Sequence, residues 1–364
     1  MHPDLWHRIA LTMVPTIGPV LQKKLLDHFT NAADIFKVSK TALCQIDGIG
    51  EWSASKIISW NDFNRVDEEM NFIQKHSIQP LLIGDDLYPQ RLMNCNDAPT
   101  LLYYKGNASL NETKIISVIG TRTNSHYGRF VTEKLIEQLP LNTLVVSGLA
   151  FGIDAIAHKA ALKNNQNTIG VLAHGLDNLY PSANRSLAKE MIEQGGLITE
   201  FNRNTPTDKY NFPRRNRIVA GMSDATVVIE TAVKGGSMIT ADLAFHYNRE
   251  LFAVPGKIND PKSSGCLKLI QENKAILFSS PEHLLEILNW TIKKDPYKKQ
   301  LELFETLTHE ERMVIDILHR ESTISMEELF IKTGFNASNM AGIILNLELQ
   351  NIIQVIPGKM IVMA

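Results

Sequence analysis

From Lys114 onward the chain alternates between short, continuous apolar runs and longer stretches with amphipathic spacing. The apolar runs are Ile116–Gly120, Leu144–Gly148, Ile169–Ala173, Leu197–Glu200, Thr226–Glu230, Leu251–Gly256 and Ala275–Phe278. Each has the length of a strand, and unbroken apolarity implies burial on both faces. Helical segments separate most of them, at Tyr127–Gln138, Ile153–Leu162, Arg185–Gln194, Pro213–Met222, Ser237–Tyr247 and Gly265–Glu272. Strand-then-helix alternation of this kind predicts an α/β domain with a doubly wound, Rossmann-like parallel sheet.

The flanks follow other patterns. Residues 1–65 read as short helices, with apolar periodicity over Leu21–Phe36 and Ala54–Trp60, each preceded by a glycine turn, PTIGPV and IDGIGEW. Gly48-Ile49-Gly50 has the form of a helix-hairpin-helix turn. Its glycines either let bare amides approach a DNA phosphate or serve as a plain connector. Residues 66–112 carry little chemistry and one expected strand, Leu101–Tyr104. Beyond a charged linker, Lys293–Gln300, helices are expected at His309–His319, Met326–Lys332 and Ala337–Leu349. Two apolar strands about Pro357-Gly358-Lys359 follow, which is the winged-helix order. The expected domains are therefore 1–65, 66–292 and 300–364.

Composition narrows the function. The chain has 364 residues, 44% hydrophobic and 21% charged, with a formal net charge of −2. That balance excludes a generally basic nucleic-acid binder, so any polyanion contact must be local. No apolar run is long enough for a membrane helix and no signal segment opens the chain, so a cytoplasmic protein is expected. Cys44, Cys95 and Cys266 show neither metal nor redox spacing.

The charge that matters is concentrated. Arg203, Lys209, Arg214, Arg215 and Arg217 face Asp208 alone between positions 203 and 217. Pro213 is expected at the first position of a helix, where its missing donor costs nothing. Three arginines then crowd the positive end of the helix dipole, which makes sense if an anion sits among them. The alternative is a basic turn whose carboxylate partners come from elsewhere. Small and polar residues follow several strands, among them Gly120-Thr121-Arg122, Ser147-Gly148, Ala173-His174-Gly175 and Gly235-Gly236-Ser237. In open α/β sheets the carboxyl edge of the strands is where ligands bind. An anion-binding groove along that edge is expected.

Catalytic readings find less support. The dinucleotide fingerprint and the Walker A motif are absent. Asp154 and His158 stand four apart on one helix, a spacing open to an acid–base pair or to plain packing, and His174 is similarly open. No metal-ligand cluster is visible, and no cofactor is expected.

Together these stretches resemble the DNA-processing protein A family, also called DprA or Smf. The resemblance rests on IGTR (Ile119–Arg122), SGLAFGIDAIAHKAAL (Ser147–Leu162), AHGLDNLYPSAN (Ala173–Asn184), FPRRNRIVAG (Phe212–Gly221), GGSMITADLA (Gly235–Ala244) and AVPG (Ala253–Gly256). It covers about residues 80 to 290, and the helical head and tail agree with the family's outer domains. Gly235-Gly236-Ser237 replaces the family's Ser-Gly-Ser, and Asn273-Lys274-Ala275 departs from its Gly-Ala. The resemblance implies a non-catalytic protein that binds single-stranded DNA without sequence preference, forms a homodimer, and loads the RecA recombinase in natural transformation. It places Arg122, Ser147, Gly148, Lys209, Phe212, Arg214, Arg215, Asn216, Arg217, Gly236 and Ser237 along the DNA groove. Phe212 is the stacking candidate, with a core role as the other reading. The rival enzyme is a nucleotide phosphoribohydrolase of the lysine-decarboxylase-like fold. Its glycine turn is matched only by Gly235 and Gly236, with Asp242 where its carboxylate would be. A duplex-reading regulator would need basic residues on Ala337–Leu349, and there are none.

Overall fold

The computed structural model describes residues 4–290, 307–321, 323–350, 352–356 and 360–363. The chain divides into two compact units, one up to residue 291 and one from 292 onward.

The first unit is built on a nine-stranded sheet. Its strands are β1 (Gln79–Leu82), β2 (Leu101–Gly106), β3 (Lys114–Ile119), β4 (Thr143–Ser147), β5 (Thr168–Val171), β6 (Gly195–Thr199), β7 (Ala225–Val228), β8 (Glu250–Ala253) and β9 (Ile276–Leu277). They lie in the order β1-β2-β6-β5-β4-β3-β7-β8-β9. From β6 to β9 every pairing is parallel. Successive residues of the central strands serve opposite faces. Ile115 and Val146 enter one core with Ile218 and Val219, while Ile116 and Val145 enter another with Leu135 and Ala157. Helices cover both faces, which is why these strands read as unbroken apolar runs.

The seven parallel strands lie where the sequence pattern places them. The sheet is larger than that pattern shows, however. β1 and β2 extend it as an antiparallel pair on the β6 side, with Tyr103 opposite Thr199. β1 reads Gln-Pro-Leu-Leu, and its proline hides it as a strand. At a sheet edge, where one row of backbone donors goes unused, proline is tolerated.

The helical head comprises Leu5–Met13, Pro19–His28, Ala32–Ile35, Lys40–Cys44, Glu51–Ser59 and Phe63–Lys75. Its two glycine turns are conformationally alike. Thr16 and Gly48 both have positive φ (72° and 86°), and Gly18 and Gly50 share extended dihedrals near (−80°, 172°). Leu5, Ile9, Val66 and Ile73 pack with Leu82, Leu101 and Tyr103, so head and sheet share a core.

The second unit has helices His309–Arg320, Met326–Thr333 and Ala337–Leu349. Capping boxes start the first two, at Thr308 with Glu311 and at Ser325 with Glu328. Three antiparallel strands, β10 (Thr323–Ser325), β11 (Ile353–Ile356) and β12 (Met360–Met363), form a sheet with β12 central. The linker Lys293–Gln300 and the turn Pro357-Gly358-Lys359 lie outside the described residues. Among the described residues no helix is long and apolar enough to cross a membrane.

Candidate functional site at the carboxyl edge of the sheet

Strand order reverses between β3 and β7, because β4, β5 and β6 build outward on one side and β8 and β9 on the other. At such a switch point the loops leaving the carboxyl ends diverge and open a crevice. Here the crevice is a cavity of about 440 Å³. Its walls are the Gly120-Thr121-Arg122 turn after β3, Gly148 after β4, Thr231 with Gly235-Gly236-Ser237 after β7, and one side of helix Asn211–Gly221.

That helix begins two residues earlier than expected. Tyr210 is its N-cap, and Pro213 is its third residue, not its first. The amide of Asn211 already bonds the Asp208 carbonyl at 3.1 Å. Proline is compatible with this register because the first four amides of a helix lack intrahelical acceptors. The shift moves Arg214, Arg215 and Arg217 past the first turn, and each meets different surroundings.

Arg215 is buried. Its Nη1 donates to the carbonyls of Gly148 and, at 2.7 Å, Val171, and its Nε donates to Asn216 Oδ1 at 3.0 Å. Burial draws its pKa down to about 10, while the nearby Asp154 carboxylate opposes that shift. Asp154 is itself buried, and its Oδ2 accepts the amides of Gly148 (3.2 Å) and Ala150 (3.4 Å). Burial raises its pKa, and Arg215 acts in the other direction. A buried guanidinium thus braces the loop after β4 from one side and a buried carboxylate from the other.

Arg217 is not at the cavity. Its Nη2 lies 2.5 Å from Glu200 Oε2 and its Nη1 donates to the Asp97 carbonyl, with both side chains buried. Arg214 is half exposed, reaches the same Glu200 oxygen at 3.4 Å, and sits over the Phe201 ring. For Arg217 the carboxylate partner from elsewhere is Glu200. Ser147 is likewise fully buried and donates to the Val118 carbonyl at 2.6 Å. Lys209 is exposed on the approach to the helix, over the Tyr210 ring. Of the sequence-derived site residues, Arg122, Gly148, Phe212, Arg215, Asn216, Gly236 and Ser237 line the common cavity. Lys209 and Arg214 lie outside that lining and are exposed, and Ser147 and Arg217 are buried away from it.

The exposed wall of the cavity can receive an anion. Arg122 projects from the β3 turn, and helix Gly236–His246 starts at the cavity with no side chain capping its leading amides. Such amides carry the positive end of the helix dipole. Ser237 Oγ donates to Thr231 Oγ1 at 2.7 Å, and Asn216 Nδ2 lies 3.4 Å from the Gly236 carbonyl, fixing that turn. Beside it is an aromatic element. The Arg122 guanidinium stands 5.1 Å from the Phe212 ring centroid, and Tyr180 approaches the same ring at 6.2 Å and 59°. Phe212 is only half buried.

The candidate acid–base groups do not converge. His158 bonds Thr168 Oγ1 through Nδ1 at 2.7 Å, and burial lowers its pKa to about 3. His174 donates from Nδ1 to the Gly175 carbonyl and accepts the Tyr180 amide at Nε2. Both are packing residues. Asp242 pairs with Lys274 at 3.3 Å and does not line the cavity. Among the described residues no cluster of three His, Cys, Asp or Glu side chains is placed to hold a metal. Sequence reasoning puts Glu200-Phe201 just beyond a strand's carboxyl end but misses Glu200 as the partner of Arg214 and Arg217, Asp154 as a loop brace, and Tyr180.

This combination defines a class: a mixed, mostly parallel α/β sheet with a polar, anion-receptive crevice at its switch point and a tandem helix-hairpin-helix head. The family model for DNA recombination-mediator protein A matches residues 79–289, and one for a SAM-like helix-hairpin-helix tandem matches residues 9–59. The chain belongs to the DNA recombination-mediator protein A family. Protein Smf of Synechocystis sp. is 34% identical over 288 residues, covering 77% of this chain and 71% of that protein. DNA processing protein DprA of Streptococcus pneumoniae is 41% identical over 204 residues, 56% of this chain and 72% of that one. The solved structure of the Streptococcus pneumoniae protein matches with a TM-score of 0.67 at 33% identity, over 77% of this chain and 97% of that one. A Helicobacter pylori DNA processing protein A, described for its single-stranded DNA binding mode, matches with a TM-score of 0.53 at 29% identity, over 58% of this chain and 95% of that one.

Proposed function

We propose that the carboxyl-edge crevice binds single-stranded DNA without sequence preference and that the protein does no chemistry on it. The observation that carries this reading is the Arg122–Phe212 pair at the cavity, a cation beside a half-buried aromatic ring. A phosphate placed at Arg122 and the leading amides of helix Gly236–His246 would set a neighbouring base against Phe212 and Tyr180. Stacking of this kind tolerates any base, because every base has a π-face. The exposed Lys209 and Arg214 extend the positive wall. Kinship with proteins named for DNA processing, one of them described as binding single-stranded DNA, supports the same ligand.

Within this reading the protein is a cytoplasmic homodimer that delivers bound strand to the RecA recombinase during natural transformation. The C-terminal unit is a winged helix whose helix Ala337–Leu349 has no Lys or Arg, which favours protein contact over duplex reading. The rival hydrolase lacks its carboxylate at the cavity, since Asp242 is engaged by Lys274. Gel shifts with single-stranded, duplex and RNA oligonucleotides of several base compositions test the proposal. Retention of single-stranded DNA irrespective of composition is expected. Equal affinity for duplex, or release of free base from nucleoside monophosphates, would overturn it.

A further inference from the structure

We infer that the single-stranded DNA path does not end at the switch-point cavity. It continues into the cleft between helices His126–Gln138 and Ile153–Lys163, where Phe151, Lys159 and Lys163 hold a second stretch of strand. This inference rests on the reading of the cavity given above.

Continuity is the first observation. A narrow pocket lined by Arg122, Phe212 and Tyr180 also includes Phe151, and Phe151 in turn lines the cleft, which has a volume of about 530 Å³. The cleft also borders the β3 turn directly: Asn124 lines it two residues after Arg122, and Gly152, which lines it too, packs closely on the backbone of Thr121 and Arg122. Phe151 is 45% exposed, and Phe130 across the cleft is 58% exposed. Both offer ring faces where a base can stack.

Charge is the second observation. Four cations and two carboxylates line the cleft. Arg129 pairs with Glu133 at 3.7 Å and Lys134 with Glu137 at 2.8 Å, so the carboxylates have their own partners on the same helix. Lys159 forms no ion pair among the described residues, and Lys163 lies near Glu137 without reaching ion-pair distance. The two lysines stand one helical turn apart on the same face, as residues four apart do. They are two cations without an ion pair, beside two exposed rings, in a lining with four cations against two carboxylates.

The alternation of rings and free lysines suits a polyanion better than a protein surface, since lysine is depleted from protein–protein interface cores. Helix Ile153–Lys163 has eleven residues and so runs about 16 Å. That accommodates roughly five nucleotides at the stacked spacing of about 3.4 Å.

The test compares two oligothymidylates, one of about six nucleotides and one of about fifteen, within the range of site sizes for such grooves. Wild type, Arg122→Ala and the double variant Lys159→Ala/Lys163→Ala are measured in the full chain. The double variant should bind the short oligonucleotide as wild type does. It should bind the long one about tenfold more weakly, with a salt slope shallower by about 1.4 for the two lost phosphate contacts. Unchanged long-oligonucleotide affinity and slope would overturn the extended path, including the case in which the variant changes only self-association. Failure of Arg122→Ala to weaken the short oligonucleotide would instead overturn the underlying reading of the cavity, and the path with it.

Discussion

The Arg215 guanidinium occupies the space that a Cβ on Gly148 would need, its Cζ lying 2.5 Å from that position. The contact is fixed from both sides, because Arg215 also donates to the Gly148 and Val171 carbonyls and is buried. Gly148→Ala is therefore expected to push Arg215 off its acceptors and lower stability by about 1–3 kcal/mol, as overpacking does. Chemical denaturation measures this directly. Unchanged stability would show that the guanidinium swings out freely and does not brace the loop.

Arg214 and Arg217 share Glu200 but should behave in opposite ways. Arg217 and Glu200 are both buried, so Arg217→Ala leaves a buried carboxylate with only the longer contact to half-exposed Arg214 and should cost about 3 kcal/mol. Arg214 is half exposed, and its loss should change stability by no more than about 0.5 kcal/mol. Single-stranded DNA affinity should fall for Arg214→Ala at full folding. Melting temperature and affinity measured on both variants separate the structural arginine from the ligand-facing one.

Stability should also report on Glu69. This buried side chain accepts the Arg203 amide through both oxygens, at 3.0 and 3.2 Å, and burial pushes its pKa up to about 7. A carboxyl raised in the folded state stabilises fully below its unfolded value near 4.5, and that contribution is lost as pH rises through about 7. Glu69→Gln keeps an acceptor for the amide and removes the buried charge. The variant should match wild type near pH 4.5 and exceed it by up to about 3 kcal/mol at pH 8. His158, whose depressed pKa gives a contribution lost as pH falls below about 6.5, is common to both proteins and cancels in the difference. A gap that does not grow with pH would mean Glu69 carries no buried charge.

For the proposed ligand, three exposed cations at the site, Arg122, Lys209 and Arg214, set the salt dependence. At about 0.7 per phosphate contact with single strands, log affinity for an oligonucleotide of about six nucleotides, which stays within the cavity, should fall with log salt at a slope of about −2. A slope near zero would remove the backbone from the account.

Phe212→Ala should weaken binding by about 1–3 kcal/mol whatever the base composition, the usual magnitude for one stacked base. Titration with several homopolymers checks it, and a loss confined to one base would turn stacking into base reading.

The parallel sheet, its helices and the carboxyl edge as the place of the site are legible in local pattern. Strands buried on both faces must be apolar throughout, and the helices between them must show one apolar stripe, so Ile116 and Val145 mark themselves. The glycine turns of the head and the small residues after β3, β4 and β7 are equally local, since they answer to backbone conformation and close approach. What local pattern does not contain is the partner of a charge. Arg214, Arg215 and Arg217 read alike as neighbours in sequence, yet helical geometry points them in different directions. Arg217 meets Glu200, seventeen residues back at the end of β6. Arg215 meets carbonyls of β5 and of the loop after β4. β2 reads as a strand, but its place between β1 and β6 does not show in its own residues, and the edge strand β1 is defined by the neighbour it pairs with and not by its own alternation. The sequence by itself determined the layers, the switch-point edge and the kinds of residue found there. Only the tertiary structure decided which of those residues face the crevice and which are consumed in holding it open, because desolvation and pairing depend on distant chain segments meeting in space.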